Sequence, residues 1–323
     1  MDTGVMVCGH GSRDDDAIRE FEGLAAGLRR RLSAVEVATG YLEFARPTIR
    51  DGLEALKGRG VGRILAVPGM LFAASHVKND LPWEINSFGA SNPDVDLRFG
   101  RELAIEPKLL AAAAERIEEG ERQASRTIAR SDTLLLVVGR GTHDPDANSN
   151  IAKLARMLWE GMGFGWAEAA FSGVAYPLVE PGLKRALGLG FPRVVVFPYF
   201  LFTGVLVKRI YAAADRVAAR RPDVEVLKAP YLNDHPLVLD CFADRVAETV
   251  DGEPAMNCTL CKYRAQVIGY EADQGATQAG HHHHVRGIGT DADHAHHHGN
   301  GHDHDHAHPH PHAHPHRHER PEG

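Results

Sequence analysis

Slid by 130 residues, the chain meets itself. VMVCGHGSRDDDA, from Val5, lies on LLVVGRGTHDPDA, from Leu135. YLEFARPTIRDGL, from Tyr41, lies on FSGVAYPLVEPGL, from Phe171, and RILAVPGMLFAASHVK, from Arg63, lies on RVVVFPYFLFTGVLVK, from Arg193. Three ungapped matches at one offset make a tandem duplication, which limits the fold to two copies of one architecture. Within each copy, short apolar runs alternate with longer amphipathic stretches, the pattern of a parallel sheet covered by helices. Strands are expected at 4–8, 35–42, 63–68 and 95–99, and again at 133–138, 166–173, 193–197 and 224–227. Helices are expected at 14–32, 47–57, 77–88 and 106–124, then at 146–162, 178–187, 206–219 and 236–250. Strands as continuously apolar as TLLLVV and RVVVF predict burial on both faces. The expected fold class is α/β: two doubly wound parallel-sheet domains, 1–125 and 130–252, facing each other across a cleft.

Composition excludes several function classes. A formal net charge of −7 argues against a sequence-independent nucleic-acid binder, which needs a basic face. No apolar run approaches the roughly 20 residues needed to span a bilayer. No basic-then-apolar leader precedes the first strand, and the four cysteines lack the spacing of a disulfide framework. A cytoplasmic protein is expected. Histidine is abnormal: of 21 in the chain, 17 lie between His281 and His318.

Three polar residues of the first copy stand out. His10, Glu43 and His76 each fall just past an expected strand, and the carboxyl ends of parallel strands line the rim where ligands bind. Two imidazoles and a carboxylate suit borderline divalent metals such as cobalt, nickel, zinc or ferrous iron, and imidazole also exchanges protons near neutral pH. A single histidine after a strand is commonly a packing or capping residue. The duplication argues otherwise here: the second copy has Arg140, Gly173 and Leu206 at the matching positions, so the scaffold persists where all three are absent. Gly9 and Gly11 flank His10, as Gly139 and Gly141 flank Arg140, giving a strand-to-helix turn that allows positive φ. No P-loop and no GxGxxG dinucleotide fingerprint occurs.

With GHGSRD at His10, YLEFARP at Glu43 and PGMLFAASHVKNDLP at His76, the sequence resembles the class II tetrapyrrole chelatases, in their long sirohydrochlorin cobaltochelatase form. The resemblance covers about residues 1–250 and extends to the linker MNCTLCKYR and the His-rich tail. It implies a lyase that inserts Co2+ into sirohydrochlorin, on the way to cobalamin, without ATP. It also implies that His10 and His76 are the metal-insertion histidines and Glu43 their acidic partner. The macrocycle carries many carboxylates, so cations should surround the cleft. Arg13, Arg46, Lys78, Arg140, Lys208 and Arg209 are candidates by position, although each taken singly is equally a solvated surface charge. Two rivals stay open: insertion of Fe2+ or Ni2+ into the same ring, since donor type alone does not separate first-row metals, and a metal store or metallochaperone without chemistry.

Two further motifs follow the duplicated core. Cys258 and Cys261, in the linker 253–275, are one pair where a closed zinc site or an iron–sulfur cluster needs four ligands. The resemblance implies a 4Fe–4S cluster, and a homodimer partner is one source of the missing thiolates. Cys8, in a strand, and Cys241, in a helix, are not obvious completing ligands. Residues 276–323 are low-complexity His, Asp, Ala, Pro and Gly, which bury too little to offset the entropy of ordering; a disordered tail is expected. Many neutral imidazoles without fixed geometry suit loose binding of Co2+, Ni2+ or Zn2+, and the admixed Asp and Pro distinguish the stretch from an expression tag. His143 and His235 are expected to be structural or superficial.

Overall fold

A computed structural model describes residues 2–251 of the chain; Cys258, Cys261 and the His-rich tail lie outside it. The first copy runs β1 (Thr3–Gly9), α1 (Asp15–Arg31), β2 (Glu36–Tyr41), α2 (Ile49–Gly58), β3 (Arg63–Pro68), a π-turn (His76–Asp80), α3 (Leu81–Ser91), β4 (Asp96–Phe99) and α4 (Pro107–Glu121). A 3-10 turn (Arg130–Asp132) leads into the second copy. That copy comprises β5 (Thr133–Gly139), α5 (Pro145–Met162), β6 (Trp166–Phe171), α6 (Val179–Leu187), β7 (Arg193–Pro198), α7 (Val205–Ala218), β8 (Glu225–Lys228) and α8 (Pro236–Asp251). Both sheets are parallel and four-stranded, in the orders β2-β1-β3-β4 and β6-β5-β7-β8. The register repeats too: Cys8 pairs with Gly40 and Pro68, as Val138 pairs with Ala170 and Pro198. The expected doubly wound α/β architecture is the observed one.

Strand residues alternate between two cores, which explains their unbroken apolarity. Met6, Cys8, Ile64 and Ala66 pack outward against α2 and α3; Leu134, Leu136, Val194 and Val196 pack outward against α6 and α7. Val5, Val7, Leu65 and Val67 face a central core that they share with Leu135, Val137, Val195 and Phe197 of the second sheet. Helices α1, α4, α5 and α8 fill that core.

Two of those central helices, α4 and α8, are exchanged between the copies. The α8 helix, last in the second copy, covers the first sheet: Arg245 donates to the carbonyls of Glu102 and Leu103, and Leu239 abuts Gly27 of α1. The α4 helix, last in the first copy, covers the second sheet, with Gly120 against Ala229 and the Arg116 guanidinium on the Leu232 carbonyl. The stretch between 125 and 130 is thus the covalent crossover of the repeat, while packing interleaves across it.

Candidate metal centre

In an order of 2-1-3-4, the chain leaves β1 in one direction for β2 and then crosses to β3 on the other side. The carboxyl end of β1 is therefore the switch point where a crevice opens. His10 is the first residue after β1, and Glu43 follows β2. The Glu43 N–H donates to the His10 carbonyl at 3.0 Å, locking the two turns together. That latch requires Gly11, at φ +92°, because a Cβ there would run into the Glu43 carbonyl oxygen. Gly141 at φ +83° does the same beneath Gly173. His76 opens the π-turn beyond β3.

The structure brings His10, Glu43 and His76 together, each with one ligand atom within 4.8 Å of the others. His10 Nε2 lies 3.2 Å from His76 Nε2 and 3.3 Å from Glu43 Oε1. Bonds of about 2.0–2.1 Å to a shared ion would span that nitrogen pair at an angle of roughly 100°, close to tetrahedral. Both outer nitrogens are engaged: His10 Nδ1 donates to the Gly11 carbonyl at 3.0 Å, and His76 Nδ1 to Asp80 Oδ2 at 2.7 Å. Each ring is thereby turned with its Nε2 toward the other donors. Burial, reinforced by the neighbouring His76, holds the His10 imidazolium below its ordinary range, and Arg140 adds to the effect. The lowering favours the neutral imidazole, the form that binds a metal.

The donors open onto a cleft of about 500 Å3 between the two copies. Its walls are largely apolar: Phe44, Met70 and Phe72 from the first copy face Tyr199, Phe202 and Leu206 from the second. Arg13 lies over the Phe44 ring, 4.5 Å from its centroid, and Arg140 lines the opposite wall. Neither has a carboxylate partner among the described residues.

The other expected cations go elsewhere. Lys78 is buried, its Nζ 2.6 Å from Asp144 Oδ2 and 3.2 Å from Asp146 Oδ2. Lys208 makes the mirrored pair with Asp14 and Asp16, at 2.7 and 2.8 Å. Asp14 and Asp144 are also the N-caps of α1 and α5, each using Oδ1 for the helix and Oδ2 for the lysine of the other copy. These lysines pair the two copies, and neither is among the residues that line the cleft. Arg46 pairs with Asp51 at 3.6 Å, away from the cleft lining, and Arg209 is likewise outside that lining. His235 bridges α8 to Glu115 of α4 at 3.0 Å, and His143 is exposed. Cys8 and Cys241 are buried. Asp80 was not anticipated, although its i+4 spacing from His76 on a helix was readable.

Fold and site together define a two-lobed α/β protein with three residues able to hold a metal ion, His10, Glu43 and His76, beside an apolar cleft. The CbiX family profile matches residues 4–120 and again 134–249. The chain is 34% identical to the sirohydrochlorin cobaltochelatase of Priestia megaterium over 82% of its own length and 85% of that protein's. It is 28% identical to the sirohydrochlorin ferrochelatase of Bacillus subtilis, over 77% of this chain and 92% of the relative. Among solved structures, the sirohydrochlorin chelatase SirB of Bacillus subtilis subspecies spizizenii, in complex with cobalt, superposes with a TM-score of 0.64 at 28% identity, covering 77% of this chain and 95% of that one. SirB of Bacillus subtilis with Fe3+ gives 0.67 at 27% identity, covering 78% and 96%. The chain belongs to the CbiX family, whose members here are sirohydrochlorin chelatases.

Proposed function

We propose that this protein inserts Co2+ into sirohydrochlorin without ATP. The observation that carries the reading is one-sided: His10, Glu43 and His76 converge on one side of an apolar cleft, and among the described residues the second copy adds no His, Cys, Asp or Glu to its lining. Three protein ligands leave coordination positions open, as transfer requires, whereas a closed four-ligand set would trap the ion. The ring nitrogens take those positions. Two pyrrole N–H bonds break as metal–nitrogen bonds form, and two protons must leave. His10 and His76, released from the metal as it moves to the ring, are the bases in reach, and Glu43, 7% exposed, offsets the positive charge beside them. Arg13 and Arg140 face the cleft and would hold the peripheral carboxylates.

Cobalt as the preferred metal is supported by the relative of 34% identity, against 28% for a ferrochelatase. The deciding measurement is anaerobic and spectrophotometric, with purified protein and sirohydrochlorin challenged separately by Co2+, Fe2+ and Ni2+. Insertion faster than the protein-free control, with Co2+ ahead, is expected. Fe2+ or Ni2+ ahead would reassign the metal, and no acceleration with any of them would leave a metal store. In the same reading the histidines between His281 and His318 are a reservoir, so a chain ending near Gly252 keeps its insertion rate and loses most of its metal capacity.

A further inference from the structure

The two copies keep an offset of 130 through Lys78 and Lys208, but β4 and β8 begin at Asp96 and Glu225, and α4 and α8 at Pro107 and Pro236, each 129 apart. The first copy therefore holds one extra residue in between. The buried positions locate it: Val77 matches Val207 at the longer offset, whereas Leu81, Ile85 and Phe88 match Ile210, Ala214 and Val217 at the shorter. Between Lys78 and Leu81 stand Asn79 and Asp80; between Lys208 and Ile210 stands Arg209 alone. The π-turn, closed by the Leu81 N–H on the His76 carbonyl, absorbs the addition, as one wide turn in a helix does. The matching segment of the second copy is regular α-helix.

Asp80 is fully buried, and its Oδ2 lies 2.7 Å from His76 Nδ1. Asn79 Nδ2 donates to its other oxygen at 3.0 Å, fixing the carboxylate plane. We propose that Asp80 is a positioning residue for metal transfer: the inserted carboxylate holds His76 as the Nδ1–H tautomer, so that Nε2 stays unprotonated and aimed at the ion shared with His10. The inference deepens the chelatase reading and rests on it for the role of His76. The second copy lacks the histidine, the inserted residue and the wide turn together.

The test uses the full chain. Nitrogen-15 NMR of histidine-labelled protein at neutral pH, with the His76 signals assigned by their disappearance in His76→Gln, reads the tautomer directly. The parent should carry the proton on Nδ1, and Asp80→Asn, which keeps a carbonyl acceptor, should too. Asp80→Leu should shift His76 toward the Nε2–H form and raise the KM for Co2+ by about 10–100-fold, the usual effect of losing a partner behind a metal-binding histidine. A merely structural role would lower thermal stability without moving the tautomer. A parent protein with His76 protonated on Nε2 overturns the inference. So does folded Asp80→Leu protein with the parental tautomer and a KM within threefold. If Asp80→Leu does not fold, the smaller Asp80→Ala replaces it with the same two readouts and the same overturning result. If the parent inserts no metal, the chelatase reading fails by itself, and the tautomer remains a separate result.

Discussion

The two copies agree in strand order, in register and in backbone detail: Phe44 and Val174 both take positive φ, and the peptides before Pro47 and Pro177 are both cis. They diverge where side chains enter the cleft. His10, Glu43 and His76 of the first copy correspond to Arg140, Gly173 and Leu206 of the second, and the wide turn bearing Asp80 has no counterpart there. What both copies keep is what the backbone and the interface demand, such as Gly11 and Gly141 or Lys78 and Lys208. What only one copy keeps is separable from folding, and that asymmetry is the strongest internal argument that these residues work on a ligand.

Mutating matched positions tests the comparison. The widest gap is expected between His76→Ala and Leu206→Ala: an insertion rate about 1,000-fold below the parent for the first, and unchanged within threefold for the second, by single-turnover spectroscopy. Equal losses would mean that the two walls share the chemistry. Next come the interlobe lysines. Lys78→Met strands two largely buried carboxylates and should lower unfolding free energy by about 3 kcal/mol in urea titrations. Lys208, whose side chain is 52% exposed, should shift the midpoint far less on the same change. The turn glycines sharpen the likeness instead: Gly11→Ala and Gly141→Ala should each cost about 2 kcal/mol, and a marked inequality would break the idea of a common backbone requirement. The smallest effect concerns pH. His10 binds metal only when neutral, and its imidazolium is held below the ordinary range, so Co2+ affinity should fall only as pH drops through that lowered value. Arg140→Met removes one cause of the lowering and should move the acid limb of the profile upward.

Much of this could be read in the sequence because duplication filters signal from noise. The ungapped matches expose the strands, and the strand ends expose His10, Glu43 and His76. The exchange of α4 and α8 was hidden, since an amphipathic helix says that it covers an apolar face but not whose. Lys78 and Lys208 lie beside the cleft motifs, yet a helical residue next to a ligand-facing one points elsewhere, here into the opposite cap. Asp80 was concealed by arithmetic: the copies align without a gap up to Lys78, and the added residue comes just beyond.

The crossing of the final helices also determines how the molecule responds to damage. A protease nick between Glu121 and Arg130 severs the backbone but leaves each fragment wearing the other's cover helix, so the fragments stay interlocked. Deleting either half is a different matter. The survivor would keep a sheet stripped of its own lid and a helix with nothing to cover, two apolar surfaces ready to find neighbours. Fragments made alone should therefore precipitate, whereas fragments made together should assemble.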